Sequence, residues 1–101
     1  MNTTNEMKLS FLSRSNNESF ARVAVAAFFA QLDPTVDEMA DIKTAVSEAV
    51  TNSIVHGYRE KIGVIYIHAK ILEDRTISIK IRDNGCGIDD IKQAMEPMFT
   101  T

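Results

Sequence analysis

Two alternating stretches separated by a short polar turn constrain this chain more than any other feature. Val64, Tyr66, His68 and Lys70 alternate with Ile65, Ile67, Ala69 and Ile71; after Glu73-Asp74-Arg75, Ile77, Ile79 and Ile81 alternate with Ser78, Lys80 and Arg82. A period of two belongs to a pleated strand with one face in a core and one in water, so the pair is predicted to form a β-hairpin. One face of that hairpin is nearly all isoleucine. It is stable only when covered, which predicts a layer of helices over it.

The cover lies upstream. Met7, Leu9 and Phe11 alternate with Lys8 and Ser10, which predicts a strand over Glu6 to Leu12 whose open edge could complete the sheet or pair with a second subunit. Ser15-Asn16-Asn17-Glu18 has capping-box spacing, and Phe20 to Leu32 then reads as helix. Phe20, Val23, Ala24 and Ala27 form the predicted inner face. Glu18, Arg22, Val25 and Phe29 cluster on nearly the opposite side, so this helix is apolar on two faces. Either it is wedged between the sheet and its neighbour, or the second face receives a partner, with Phe29 as anchor and Arg22 as directional charge.

The next helix opens at Asp33-Pro34 or through a second capping box, Thr35-Val36-Asp37-Glu38. Its predicted buried stripe is Ile42, Ala45, Val46, Ala49, Val50 and Ser53, with Gly57 as a left-handed stop. The small residues at 45, 49 and 53 allow a close approach to the supporting sheet. Beyond the hairpin, Asp89 or Asp90 is predicted to cap a short helix through Met95, ended by Pro97. Met95, Met98 and Phe99 read as core or hinge packing.

At 101 residues and 45% apolar composition, the chain is expected to be one globular domain, residues 1–101. A formal charge of −3, with eleven Lys and Arg that never gather into a run, argues against nucleic-acid binding. Cys86 is the sole cysteine, which excludes an internal disulfide and fits a reducing compartment. No run is apolar and long enough to span a bilayer, and no signal-peptide pattern opens the chain, so a cytoplasmic location without membrane contact is expected. Pro97-Met98-Phe99-Thr100-Thr101 closes the sequence without a polar tail, as an interrupted domain would.

Chemistry concentrates in two places. Glu48, Asn52 and His56 stand one turn apart along one flank of the second helix, beside its apolar stripe. A carboxylate and a carboxamide so placed can divide work around a metal-bound phosphate, the amide oxygen as ligand and the carboxylate as proton acceptor; a solvated polar flank has the same pattern. His56 is either half-buried near a helix end or a direct phosphate or protein contact. The second place is Asp83-Asn84-Gly85-Cys86-Gly87-Ile88, where a strand ends. Asp83 is in phase with Ile77, Ile79 and Ile81, so its carboxylate is expected in the crevice between sheet and helices, accepting from an adenine amino group or from a backbone amide. Gly85 and Gly87 permit backbone to approach a flat ligand closely. Neither a dinucleotide fingerprint nor a P-loop is present.

Together, Glu48-x-x-x-Asn52 and Asp83-x-Gly85-x-Gly87-Ile88 resemble the first two ATP-site motifs of the GHKL ATPase superfamily. The segment from Ser47 to Tyr58, with Asn17 to Arg22 and Glu96 to Thr101, is similar to the serine-kinase anti-sigma factors of sporulating bacteria, a likeness over almost the whole chain. It implies a two-layer α/β sandwich of the GHKL (Bergerat) type, helices on one face of a mixed, mostly antiparallel sheet, incomplete at the C-terminus. It implies ATP and Mg2+ as cofactors, with Asn52 ligating magnesium, Glu48 as general base, Asp83 accepting from adenine, and Gly85 and Gly87 shaping the adenine pocket. The implied partners are an RNA polymerase sigma factor, an anti-anti-sigma factor phosphorylated on serine, and a second copy of the chain in a homodimer. Glu18 and Arg22 match the region presented to those partners. In the family a lid and further strands follow the Phe-Thr-Thr segment, so residual adenine binding with weak or absent phosphotransfer is expected of this chain. A turnover-free interaction module and the ATP domain of a histidine kinase are the alternatives.

Overall fold

The computed structural model describes residues 2–57, 61–84 and 88–95, without the side chains of 56, 57, 88 and 89. Four strands, β1 (Thr3–Leu12), β2 (Val64–Leu72), β3 (Thr76–Arg82) and β4 (Ile88–Ala94), form one sheet in that spatial order, each pair antiparallel. Two helices, α1 (Asn17–Phe29) and α2 (Val36–Asn52), lie between β1 and β2 in sequence. An even number of helical crossings returns the chain to the end of the sheet it left, so β2 runs back beside β1. That end is fixed by Ser13, whose N–H donates to the Gly63 carbonyl at 2.9 Å while its hydroxyl accepts from the Gly63 N–H at 2.9 Å. At the opposite end the Arg75 guanidinium donates to the Leu32 carbonyl at 2.8 Å, tying the close of the helical layer to the β2–β3 turn.

The hairpin forms as its alternation requires. Ile67 faces Ile81, Ala69 faces Ile79 and Ile71 faces Ile77, all buried, whereas Lys80 and Arg82 on the other face are exposed. Each such isoleucine contributes roughly 1.5–3 kcal/mol of transfer free energy. Arg75 occupies the left-handed region at φ 67° and Asp74 caps the turn, accepting from the Thr76 N–H at 3.0 Å. The Thr76 hydroxyl first and its N–H second hold the Asp74 carboxyl below its ordinary range.

α2 buries Ile42, Val46, Ala49 and Val50, with Ser53 just beyond, on the stripe its sequence marks out. Its start resolves the choice between two openings. The Thr35 hydroxyl accepts from the Glu38 N–H at 3.1 Å and the Glu38 carboxylate accepts from the Thr35 N–H at 2.9 Å, a complete capping box. Asp33 instead sits left-handed at φ 49°, closing the 3-10 turn Ala30–Leu32. Helical winding does not stop cleanly at Asn52 but passes into a π turn over Ser53–Gly57.

Three expectations are corrected. The buried face of α1 is Ala21, Val25, Ala26 and Phe29, while Phe20 and Val23 are 52% and 60% exposed. The face assigned to a partner is therefore largely the core face, and Phe29, fully buried, is a core residue and not an anchor. Its ring packs edge-on against Phe28, with centroids 5.1 Å apart. The helix had two apolar stripes to offer, and the one ending in Phe29 is the one buried. The capping box at Ser15 does not form either. Asn16, already in helical conformation, precedes α1 without a side-chain cap, and only the Ser15 carbonyl engages Glu18, at 3.2 Å. The chain instead enters α1 through Asn17, whose amide donates to the Leu12 carbonyl at 2.9 Å.

Finally, residues 88–94 form β4 and not a capped helix. Ile91, Gln93 and Met95 alternate inward against Asp90, Lys92 and Ala94, and Ile91 pairs across from Ile79. The three-residue apolar spacing suits a helix in isolation, but pairing satisfies the backbone edge of β3 and extends the apolar floor. Met95 is 4% exposed and joins the core, as its packing assignment requires. Met98, Phe99 and Pro97 lie outside the described residues.

Candidate nucleotide site

The site is built from the end of the sheet at which β1 finishes. α1 starts there, α2 ends there, and β3, antiparallel to β2, also ends there. Glu48 and Asn52, one turn apart on α2, are both exposed and line a shallow depression of about 350 Å3 with Ser47 and Thr51. The 47/51 pair is a second i, i+4 row beside the first, and nothing in the sequence separates it from an ordinary helix flank. The Ser47 hydroxyl oxygen is buried without a hydrogen-bond partner among the described residues.

Asp83 follows directly on β3 at this same end and is half-buried. The fold thus delivers Glu48, Asn52 and Asp83 to one end of the two-layer structure, although Asp83 does not line the α2 depression. Gly85 and Gly87 lie outside the described residues, and the side chain of His56 is likewise outside them. Among the described residues no group of three His, Cys, Asp or Glu side chains gathers as a metal cage. Asn52 offers one exposed amide oxygen, a donor of the type that hard cations take.

Glu18 and Arg22 form an i, i+4 pair on the first turns of α1, with Nη1 to Oε1 at 3.5 Å, and Arg22 Nη2 donates to the Ser19 hydroxyl at 3.0 Å. Both remain partly exposed. Glu18 also borders an open groove of about 600 Å3, together with Ser15, Asn16, Ser19, Thr51, Ile54 and Val55. Thr51 borders this groove and the Glu48–Asn52 depression alike, so the start of α1 and the candidate phosphate end adjoin.

With this geometry in place, the similarities to known proteins are specific. Residues 12–100 match the histidine kinase-like ATPase domain, which defines the class and implies ATP binding. An anti-sigma F factor of Thermoanaerobacter sp. (strain X514) is 63% identical over the whole chain, which covers 70% of that relative. The anti-sigma F factor of Caldanaerobacter subterraneus subsp. tengcongensis is 61% identical with the same coverage. That of Clostridium botulinum (strain Eklund 17B / Type B) is 62% identical over 98 residues, 96% of this chain and 68% of the relative. The chain belongs to the anti-sigma F factor family of histidine kinase-like ATPases. The expected helices-on-sheet architecture is the one this family membership calls for.

Proposed function

We propose that this protein sequesters an RNA polymerase sigma factor of the sporulation programme and, with ATP, phosphorylates a serine of an anti-anti-sigma antagonist. The observation that carries the reading is the exposed Glu48–Asn52 pair on the last turns of α2, at the sheet end where Asp83 also emerges, in a chain matched to this ATPase class. Asp83 accepts from the adenine amino group, and Gly85 and Gly87 shape the adenine pocket. Asn52 would hold magnesium through its amide oxygen, and the metal would supply charge neutralisation at the phosphate. Glu48 takes the serine Oγ proton as the oxygen attacks the γ-phosphorus, the new O–P bond replacing the bond to the bridging oxygen that departs with ADP.

Glu18, at the rim of the neighbouring groove, and Arg22, paired with it one turn on, contact the protein partners. A homodimer in the cytoplasm completes the reading. It is supported by β1 standing at the sheet edge and by the apolar side chains Leu12, Phe20 and Val23 left 46%, 52% and 60% exposed beside it. Among the described residues no helix is long and apolar enough to cross a membrane.

The test is calorimetric titration with ATP, with and without magnesium, of the protein and of Asn52→Ala. The substitution is expected to remove most of the metal dependence of binding while leaving adenine recognition largely in place. Equal loss of affinity with and without metal would overturn the role of Asn52. Serine phosphorylation of the antagonist would carry the kinase reading, whereas its absence with normal nucleotide binding would favour the turnover-free interaction module.

A further inference from the structure

The face of the sheet turned away from the helices carries a cross-strand cationic array. Lys8 on β1 lies in register with His68 on β2, and His68 with Lys80 on β3; the next row is Ser10, Tyr66 and Arg82. These side chains line a depression of about 390 Å3 that has no carboxylate among the described residues of its lining. Every one of them can donate a hydrogen bond. Lys8, Ser10, Lys80 and Arg82 are exposed, so among the described residues nothing covers this face. Two acids border the array: Glu6, which is engaged by His68 at 2.7 Å, and Asp90 on β4, which stands in register with Lys80. A chain with a net charge of −3 thus concentrates positive charge on one concave surface.

We propose that this surface docks an acidic polypeptide segment of a partner protein. Charge complementarity selects an anion, and two features select a polypeptide. Adjacent strands are about 4.8 Å apart, and successive turns of a helix rise about 5.4 Å, so an acidic helix lying across the sheet sets one carboxylate over each strand from β1 to β3. Among the described residues the array offers little to stack a nucleic-acid base: its one aromatic ring, Tyr66, has one face covered by the Arg82 guanidinium, whose central carbon lies 4.3 Å from the ring centroid. The surface is on the opposite side of the sheet from the helices, so its occupancy is separable from nucleotide binding.

The probe is a fluorescein-labelled 14-residue peptide of alternating alanine and glutamate pairs, titrated by anisotropy at low salt, with single-stranded dT14 as the competing polyanion. The protein is expected to bind the peptide, more tightly than dT14, and to lose roughly tenfold or more in affinity in Lys8→Glu/Lys80→Glu. A control of equal charge change away from this face, Lys43→Glu/Lys61→Glu, is expected to retain binding within about threefold. Circular dichroism establishes that both variants are folded, both pairs being exposed. No peptide binding by the unmodified protein, equal loss in the two double variants, or preference for dT14 would each overturn the proposal.

Discussion

The two helices of this protein present the sheet with opposite problems. α2 offers one apolar stripe, Ile42, Val46, Ala49 and Val50, and buries that stripe. α1 offers two, buries Ala21, Val25, Ala26 and Phe29, and leaves Phe20 and Val23 largely in solvent. Periodicity therefore dictates which way a one-striped helix turns, whereas a two-striped helix turns toward whichever stripe packs better, and the other remains exposed.

The comparison is broken or sharpened most strongly by truncating one phenylalanine on each face of α1. Phe29→Ala is expected to cost about 3–5 kcal/mol of unfolding free energy in urea. Phe20→Ala is expected to cost about 1 kcal/mol or less, its ring making only an edge contact with Phe11 at 6.5 Å. Comparable losses would mean that both stripes are buried. Val23→Asp addresses the exposed stripe directly. If the proposed homodimer uses this stripe, analytical ultracentrifugation is expected to show a dimer dissociation constant raised roughly tenfold or more with little change in monomer folding, and an unchanged constant would remove this stripe from the proposed subunit contact.

The helix starts differ as well. Thr35→Ala removes a formed capping box and is expected to lower stability by about 1 kcal/mol. Ser15→Ala, at a position whose side chain caps nothing, is expected to stay within about 0.5 kcal/mol of the parent. A Ser15 effect as large as that of Thr35 would restore a cap to α1.

The smallest effect is electrostatic. The hydrogen bond from His68, then its charge, holds the Glu6 carboxyl below its ordinary value of 4.5. A depressed carboxyl contributes stability that is present above its unfolded value and is lost as pH falls through the folded one. Glu6→Gln is therefore expected to flatten slightly the acid limb of stability below about pH 4.5, and an acid limb identical in the two proteins would show that the pair contributes nothing in solution.

Much of this molecule is legible without coordinates. The isoleucine hairpin, the need for a helical cover, the buried stripe of α2, and the placement of Glu48 and Asn52 on its solvent flank follow from periods of 2.0 and 3.6, because side-chain direction in a regular element is a local property. Where two local solutions compete, the sequence is silent. Ile88, Ile91 and Ala94 suit a helix by spacing, yet the open edge of β3 draws them into β4, since a backbone edge is satisfied only by a neighbour that local sequence does not show. The left-handed Arg75, tied through Leu32 to the helical layer, and the Ser13–Gly63 clasp at the other end are likewise decided by residues far apart in the chain. Only tertiary packing could choose between the stripes of α1 and gather Lys8, His68, Lys80 and Arg82 from three strands onto one surface. Those outcomes depend on register and on contact between elements, and neither is a property of any single segment.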